Sequence, residues 1–337
     1  MNNVLILCEK TAMAKDLKRA VPELADSDVV SFYGLGFLEY DYPRHLPISN
    51  CPLIIPVKYK VKDTRYFPNS NLTIDYRSLI KEYRSKINDY NEILIVCDMD
   101  NRGIYCSQLS ITELLRDSGF TGKVTILRSE SFDQETLRMS WKYRKVYVFD
   151  NEMFQRAKAK YYFDWLWNIN SAPVFGKALA MAGAKSDLIF SKYELMTFHC
   201  IYNELPDSNI DVYIISFLQD YKGTGKYFKN CEKDDYQLFS IYPSSKPCTL
   251  KAFEGIASPS SRSAILEQLV NRGLLEKIND QYVVTKAGSK FYGLLHKRSF
   301  DPDLPFRLQF WSLENDYEAI ESYISKYFSR QKRFNAV

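Results

Sequence analysis

Apolar residues along this chain fall into two rhythms. Val4-Leu-Ile-Leu7 and Ile93-Leu-Ile-Val96 are short unbroken aliphatic runs, the pattern of parallel strands buried on both faces. Strands are predicted at 4–8, 29–32, 92–97 and 123–127, with helices at 13–21, 76–88 and 106–117 between them. Such alternation builds a mostly parallel sheet covered by helices. From 152 to 182 the period changes to that of one long helix carrying Trp165 and Trp167. Residues 186–245 are aromatic and turn-rich, with D-V-Y-I-I-S-F at 211–217 read as a strand and Gly223-Thr224-Gly225 as a turn, together a hairpin. Residues 262–295 read as helix, Arg272-Gly273 turn, strand pair near 275–285 and helix, before a last helix at about 316–328.

The chemistry sits where two strands end. Glu9 follows the first apolar run, and Asp98 and Asp100 follow the second as a D-x-D. Open α/β sheets place their sites at the C-terminal ends of their strands. Three hard oxygen ligands converging there suit Mg²⁺, not zinc or a redox metal. The same acids also serve as turn and helix-cap residues, so the residues alone leave both roles open.

The opening V-L-I-L-C-E-K-T-A-M-A-K-D-L resembles the first strand and helix of the Toprim domain of type IA topoisomerases, the topoisomerase III branch above all. I-L-I-V-C-D-M-D-N-R-G is similar to that family's D-x-D-R-E-G. In family order follow G-L-G-F-L-E at 34–39 for G-H-L-x-E, the Toprim-closing segment at 127–138, and R-A-K-A-K-Y-Y-F-D-W-L-W-N-I-N at 156–170 for the R-x-R-x-D-W-L-x-G-x-N helix. Residues 246–275, with Thr285 to Gly288, resemble the last conserved block. The resemblance covers 1–200 and 246–325. It implies an α/β Toprim domain at 1–150, a mostly parallel sheet with flanking helices. A mainly helical remnant of the DNA-cradling domain would follow at 151–337, with 186–245 in place of the arch and a winged-helix-like unit at 246–330.

Departures from the family are as informative. A working enzyme needs an arch of several hundred residues carrying a nucleophilic tyrosine, and about sixty residues lie in its place, too few for a typical domain. The tyrosine motif, Y-x-R-T followed by D or S, is missing. Tyr242 in I-Y-P-S-S is its nearest echo, lacks the arginine, and reads better as a packing aromatic than as a nucleophile. The family's third acid is replaced by Asn101-Arg102, and a cation ~4 Å from a bound metal is repelled by about 4 kcal/mol at an effective dielectric of 20. Glu9, Asp98 and Asp100 are therefore expected either to hold one Mg²⁺ or to face Arg102, which then pairs with Asp100 or contacts phosphate. Lys160, Tyr162 and Lys192 stand where the family has arginines, losing bidentate phosphate contacts but keeping some affinity. Lys10 and Arg262 match cationic residues of the family, Arg262 at a helix start whose amides also favour phosphate. Trp165, Trp167 and Tyr162 are candidates for base stacking or for the core of an amphipathic helix.

Composition changes this picture little. The chain has 337 residues, 46% of them apolar, enough for two packed units. Seven cysteines without a C-x-x-C argue for reduced thiols and a cytoplasmic setting, and against a zinc ribbon. The first apolar run, about five residues long, is too short for a signal peptide or membrane span. A net charge of +4 permits nucleic-acid binding through local patches. The three histidines show no ligand spacing. The expectation is a Toprim protein that binds single-stranded or branched DNA without strand passage, among protein partners of a DNA-processing assembly. Two alternatives stand beside it: a Mg²⁺-dependent Toprim nuclease, and an inactive paralogue whose aromatic surface (25 Tyr, 21 Phe) binds protein.

Overall fold

The computed structural model describes residues 3–32, 35–43, 46–67, 71–98, 100–127, 129, 131, 133–186, 189–205, 211–225 and 255–334. The chain divides into two compact units, Met1–Asp41 with Lys58–Lys158, and Tyr42–Val57 with Ala159–Val337. No helix among the described residues is long and apolar enough to cross a membrane.

The first unit contains β1 (Val4–Cys8), α1 (Thr11–Ala20), β2 (Asp28–Ser31), β3 (Leu38–Tyr40), β4 (Tyr59–Val61), β5 (Arg65–Phe67), β6 (Leu72–Ile74), α2 (Tyr76–Ser85), β7 (Glu92–Val96), α3 (Asn101–Leu115), β8 (Lys123–Leu127), α4 (Gln134–Lys142), β9 (Lys145–Val146) and the start of α5 (Glu152–Ala182). Its sheet has the order β2-β1-β7-β8-β9, parallel except for the antiparallel edge strand β9. Every residue of β1 and β7 is buried, as their unbroken apolar runs require. On one face Val4, Ile6, Cys8, Leu94 and Val96 pack against Met13, Ala14 and Leu17 of α1 and Leu137 of α4. Burial of each large aliphatic chain stabilises the fold by about 1.5–3 kcal/mol. Helix α3 begins at Asn101, five residues before its apolar pattern, because the Asp100 carboxylate caps it.

The second unit contains most of α5, then α6 (Lys192–Asn203), α7 (Asp211–Asp220), α8 (Pro259–Asn271), β10 (Leu275–Ile278), β11 (Gln281–Val284), α9 (Lys286–Gly293), α10 (Leu304–Glu314) and α11 (Tyr317–Phe334). The predicted strand at 211–217 is a helix. Its one-sided burial, Ile214 and Leu218 inside with Val212 and Tyr213 exposed, has the i, i+4 spacing that outweighs the β propensity of the run. Helix α8, the β10–β11 hairpin and α9 follow in the order read from sequence.

Buried ion pairs fix both units. In the first, Glu92 opens β7 with its side chain 1% exposed. It accepts from Arg144 Nε at 2.6 Å and Nη2 at 3.0 Å, from Thr125 Oγ1 at 2.5 Å, and pairs with Lys123 at 3.1 Å. Burial works to raise its pKa, but these donors win and hold it down at about 2. In the second, Glu194 completes the Ser191 capping box of α6 while pairing with Arg272, which closes α8, at 2.6 Å.

A carboxylate held low stabilises the fold above its unfolded pKa and loses that contribution as pH falls toward the folded value. Stability should therefore decline between about pH 4.5 and pH 2 through Glu92. Glu92→Ala, which leaves Arg144 without its partner, should cost about 3–5 kcal/mol at pH 7 in denaturant titrations, and its slope over that pH range should flatten.

Candidate functional site

Two neighbouring strands deliver the acids to one edge of the sheet. The ladder between β1 and β7 runs one step past β1, with Glu9 N donating to Val96 O at 2.8 Å. The chain then turns, and Glu9 Oε2 accepts from Asp98 N at 3.1 Å, tying the two strand ends together. Asp98 Oδ2 pairs with Lys10 Nζ at 2.7 Å, both side chains well exposed. Asp100 accepts from Gly103 N at 2.6 Å as the N-cap of α3. Gly103 is required here by close approach: a Cβ would lie 2.2 Å from Asp98 O and 3.2 Å from Glu9 Oε2. Lys10 is itself the N-cap of α1 and gives it no side-chain cap, while its carbonyl accepts from Met13 N at 3.1 Å.

The electrostatics are those of crowded acids. Burial raises the Glu9 pKa, the Asp98 amide and Lys10 oppose it, and the charges of Asp98 and Asp100 raise it further. The Cys97 thiol beside them is also pushed up, by burial and by the same charges, and stays protonated at neutral pH.

As arranged, two of the three acids are already engaged within the chain. Among the described residues no group of three His, Cys, Asp or Glu side chains is placed to hold a metal ion. Asp98 faces the Lys10 ammonium and Asp100 is spent on a helix cap, so Mg²⁺ would have to displace both. The expected Arg102–Asp100 pair is replaced by this cap. Arg102 is exposed on the first turn of α3 and forms no ion pair among the described residues.

The remaining sequence candidates separate by burial. Lys160 is exposed. Tyr162 is half-buried, donating to Glu321 Oε1 at 2.6 Å, with its ring against Tyr317. Lys192 is buried: burial works against its charge, and pairing with Asp164 more than restores it. Arg262 is 1% exposed and donates to the carbonyls of Ile256 and Ala257, both at 3.2 Å. Lys192 and Arg262 therefore have partners inside the fold. Trp165 and Trp167 are core, their indole N–H groups donating to Ile55 O and Phe190 O, both at 3.0 Å. Tyr242 lies outside the described residues. Gly103 and the open start of α1 escaped the sequence reading. The signal for the first was present, a glycine three positions after Asp100.

No protein-family model matches the chain, and no curated protein does. Among solved structures, full-length topoisomerase I from Thermotoga maritima in a monoclinic crystal form is similar over 98% of this chain and 89% of that one, at 10% identity and a TM-score of 0.48. That is a distant likeness, and it carries no conclusion about activity.

Asp100→Ala should cost about 0.5–2 kcal/mol through the lost cap. Combined with Arg102→Ala the losses should add within about 0.5 kcal/mol in a double-mutant cycle; strong coupling would restore the ion pair. A carboxyl whose pKa is raised gives up stability as pH rises through its folded value. Glu9→Gln keeps an oxygen for the Asp98 amide, so it should raise the melting temperature at pH 7 and lose that gain near pH ~4.

Proposed function

We propose that the chain is a Toprim-like protein, reduced from the type IA topoisomerase plan, that binds single-stranded or branched DNA without strand passage and works among protein partners. On this reading 1–150 is the Toprim domain and 151–337 a DNA-cradling remnant whose helix–hairpin–helix is winged-helix-like. The observation that carries the proposal is the tied ends of β1 and β7. There exposed Lys10 and Arg102 stand beside the uncapped start of α1 at the C-terminal edge of a parallel sheet. Two cations at a helix start suit a phosphate, and the Lys10–Asp98 pair gives way easily, because exposed pairs contribute only about 0.2–1 kcal/mol. Lys160, in the second unit, is exposed as well. Buried Lys192 and Arg262 act through the scaffold, and Tyr162 through its bond to Glu321.

A second reading, a Mg²⁺-dependent nuclease at Glu9, Asp98 and Asp100, is favoured by the half-burial of Glu9 beside two further carboxylates, which together raise its pKa. Melting curves separate the two. Millimolar Mg²⁺ should leave the melting temperature unchanged; a rise that vanishes in Asp98→Asn would establish the nuclease site.

Single-stranded oligonucleotide should bind with an affinity that falls with salt, log against log, by a slope of ~0.7 per phosphate contact. Lys10→Ala and Arg102→Ala should each flatten it by roughly one contact. Supercoiled plasmid should stay supercoiled throughout. Unchanged binding in both variants would turn the assignment toward a protein-binding paralogue, and a ladder of relaxed topoisomers would refute the loss of strand passage.

A further inference from the structure

The second unit holds a cavity of about 460 Å³, within the ~300–1,000 Å³ typical of small-molecule sites. Its lining includes the rings of His199, Tyr292, His296, Phe300 and Phe334 beside Leu195 and Leu295. His199 of α6 stacks on Phe300 with centroids 3.7 Å apart and 11° between planes. Tyr292 of α9 stacks on Tyr202 in the same way, at 3.9 Å and 11°. Phe334, at the end of α11 and 43% exposed, stands edge-on to His296 at 5.6 Å.

The polar groups among these rings are few and ordered. Tyr292 Oη meets His199 Nδ1 at 3.2 Å and accepts from Asn203 Nδ2 at 2.8 Å. Burial pushes the His199 pKa down to about 4, so at neutral pH the imidazole is uncharged. Its Nδ1 lies within hydrogen-bond distance of both Tyr292 Oη and Asn203 Nδ2. Lys297 lines the cavity. Burial first, then the charges of Arg330, Lys297, Arg298 and Arg333, hold His296 below its usual range.

We infer that this cavity binds a single unstacked nucleobase with its phosphate, the rings taking the base and the Lys297 rim the anion. Flat aromatic walls suit any base, because every base presents a π-face. A purely apolar ligand would leave the His199–Tyr292 polar pair and Lys297 unused. A simple anion would leave the rings unused. The inference stands apart from the acid cluster of the first unit and does not rest on it.

Thymidine monophosphate is the probe, with saturation transfer to its methyl protons as the readout. It should bind the full chain more tightly than thymidine or inorganic phosphate. Gly293 lines the cavity, and a Cβ placed on it meets open space, so Gly293→Leu should fold while filling the opening. Affinity should fall roughly tenfold or more, the factor that stacking of one base supplies. Lys297→Glu, on an exposed side chain, should weaken thymidine monophosphate several-fold and leave thymidine unaffected. The assignment is overturned by no transfer at millimolar nucleotide, or by affinity retained in both variants. Displacement by inorganic phosphate as effective as by the nucleotide would also overturn it, leaving an anion patch. So would tighter binding of an acidic, tyrosine-containing peptide, which would make the cavity a protein contact.

Discussion

The hydrogen bond from the Asp98 amide to the Glu9 carboxylate is the constraint on which the edge of the first unit depends. It joins the exits of two strands that are buried along their whole length, so it sets where the chain first reaches solvent. It also draws a carboxylate into a half-buried position beside two others. The helix that follows can approach only because Gly103 has no side chain to meet Asp98 O. Asp100 then caps that helix and Lys10 compensates Asp98. Each of the three acids thus has a structural duty before it has a chemical one.

The second unit rests on a different economy of charge. Glu194 and Arg272, 2% and 4% exposed, close the start of α6 and the end of α8 on each other, and Arg272 also donates to Ile189 O at 2.7 Å. Around them many of the unit's aromatic residues turn inward. Trp167 alone has ring contacts with Phe163, Phe175, Tyr327 and Phe328. Removing one member of the buried pair strands the other, which makes such pairs strong determinants of one packing even where their net stabilisation is small.

Sequence made legible whatever is local and periodic. The buried strands β1, β7 and β8, the long α5 and the α8–β10–β11–α9 order all carry their pattern within a short window. The acids at the strand ends were legible for the same reason. What was hidden is set at long range. Lys10 finds Asp98 across 88 positions, and Arg272 finds Glu194 across 78. Neither pairing has a local signal, and Lys192 likewise looked like a surface cation although Asp164, 28 positions away, takes it inside. Helix α7 was misread because its residue types favour strands while its buried positions recur with helical spacing. The three-residue strands of β3 to β6 are too short to display any period at all.

Strand β7 finally gives the first unit a polarity that neither end has alone. At its entrance a carboxylate is oversupplied with donors; just past its exit, carboxylates outnumber them. Protons therefore act in opposite senses at the two ends of one strand, loosening the entrance and relaxing the exit. Acidification can ease the crowding at the exposed edge well before it reaches the clamp beneath, so the responsive end of the sheet and its anchored end answer to separate windows of pH.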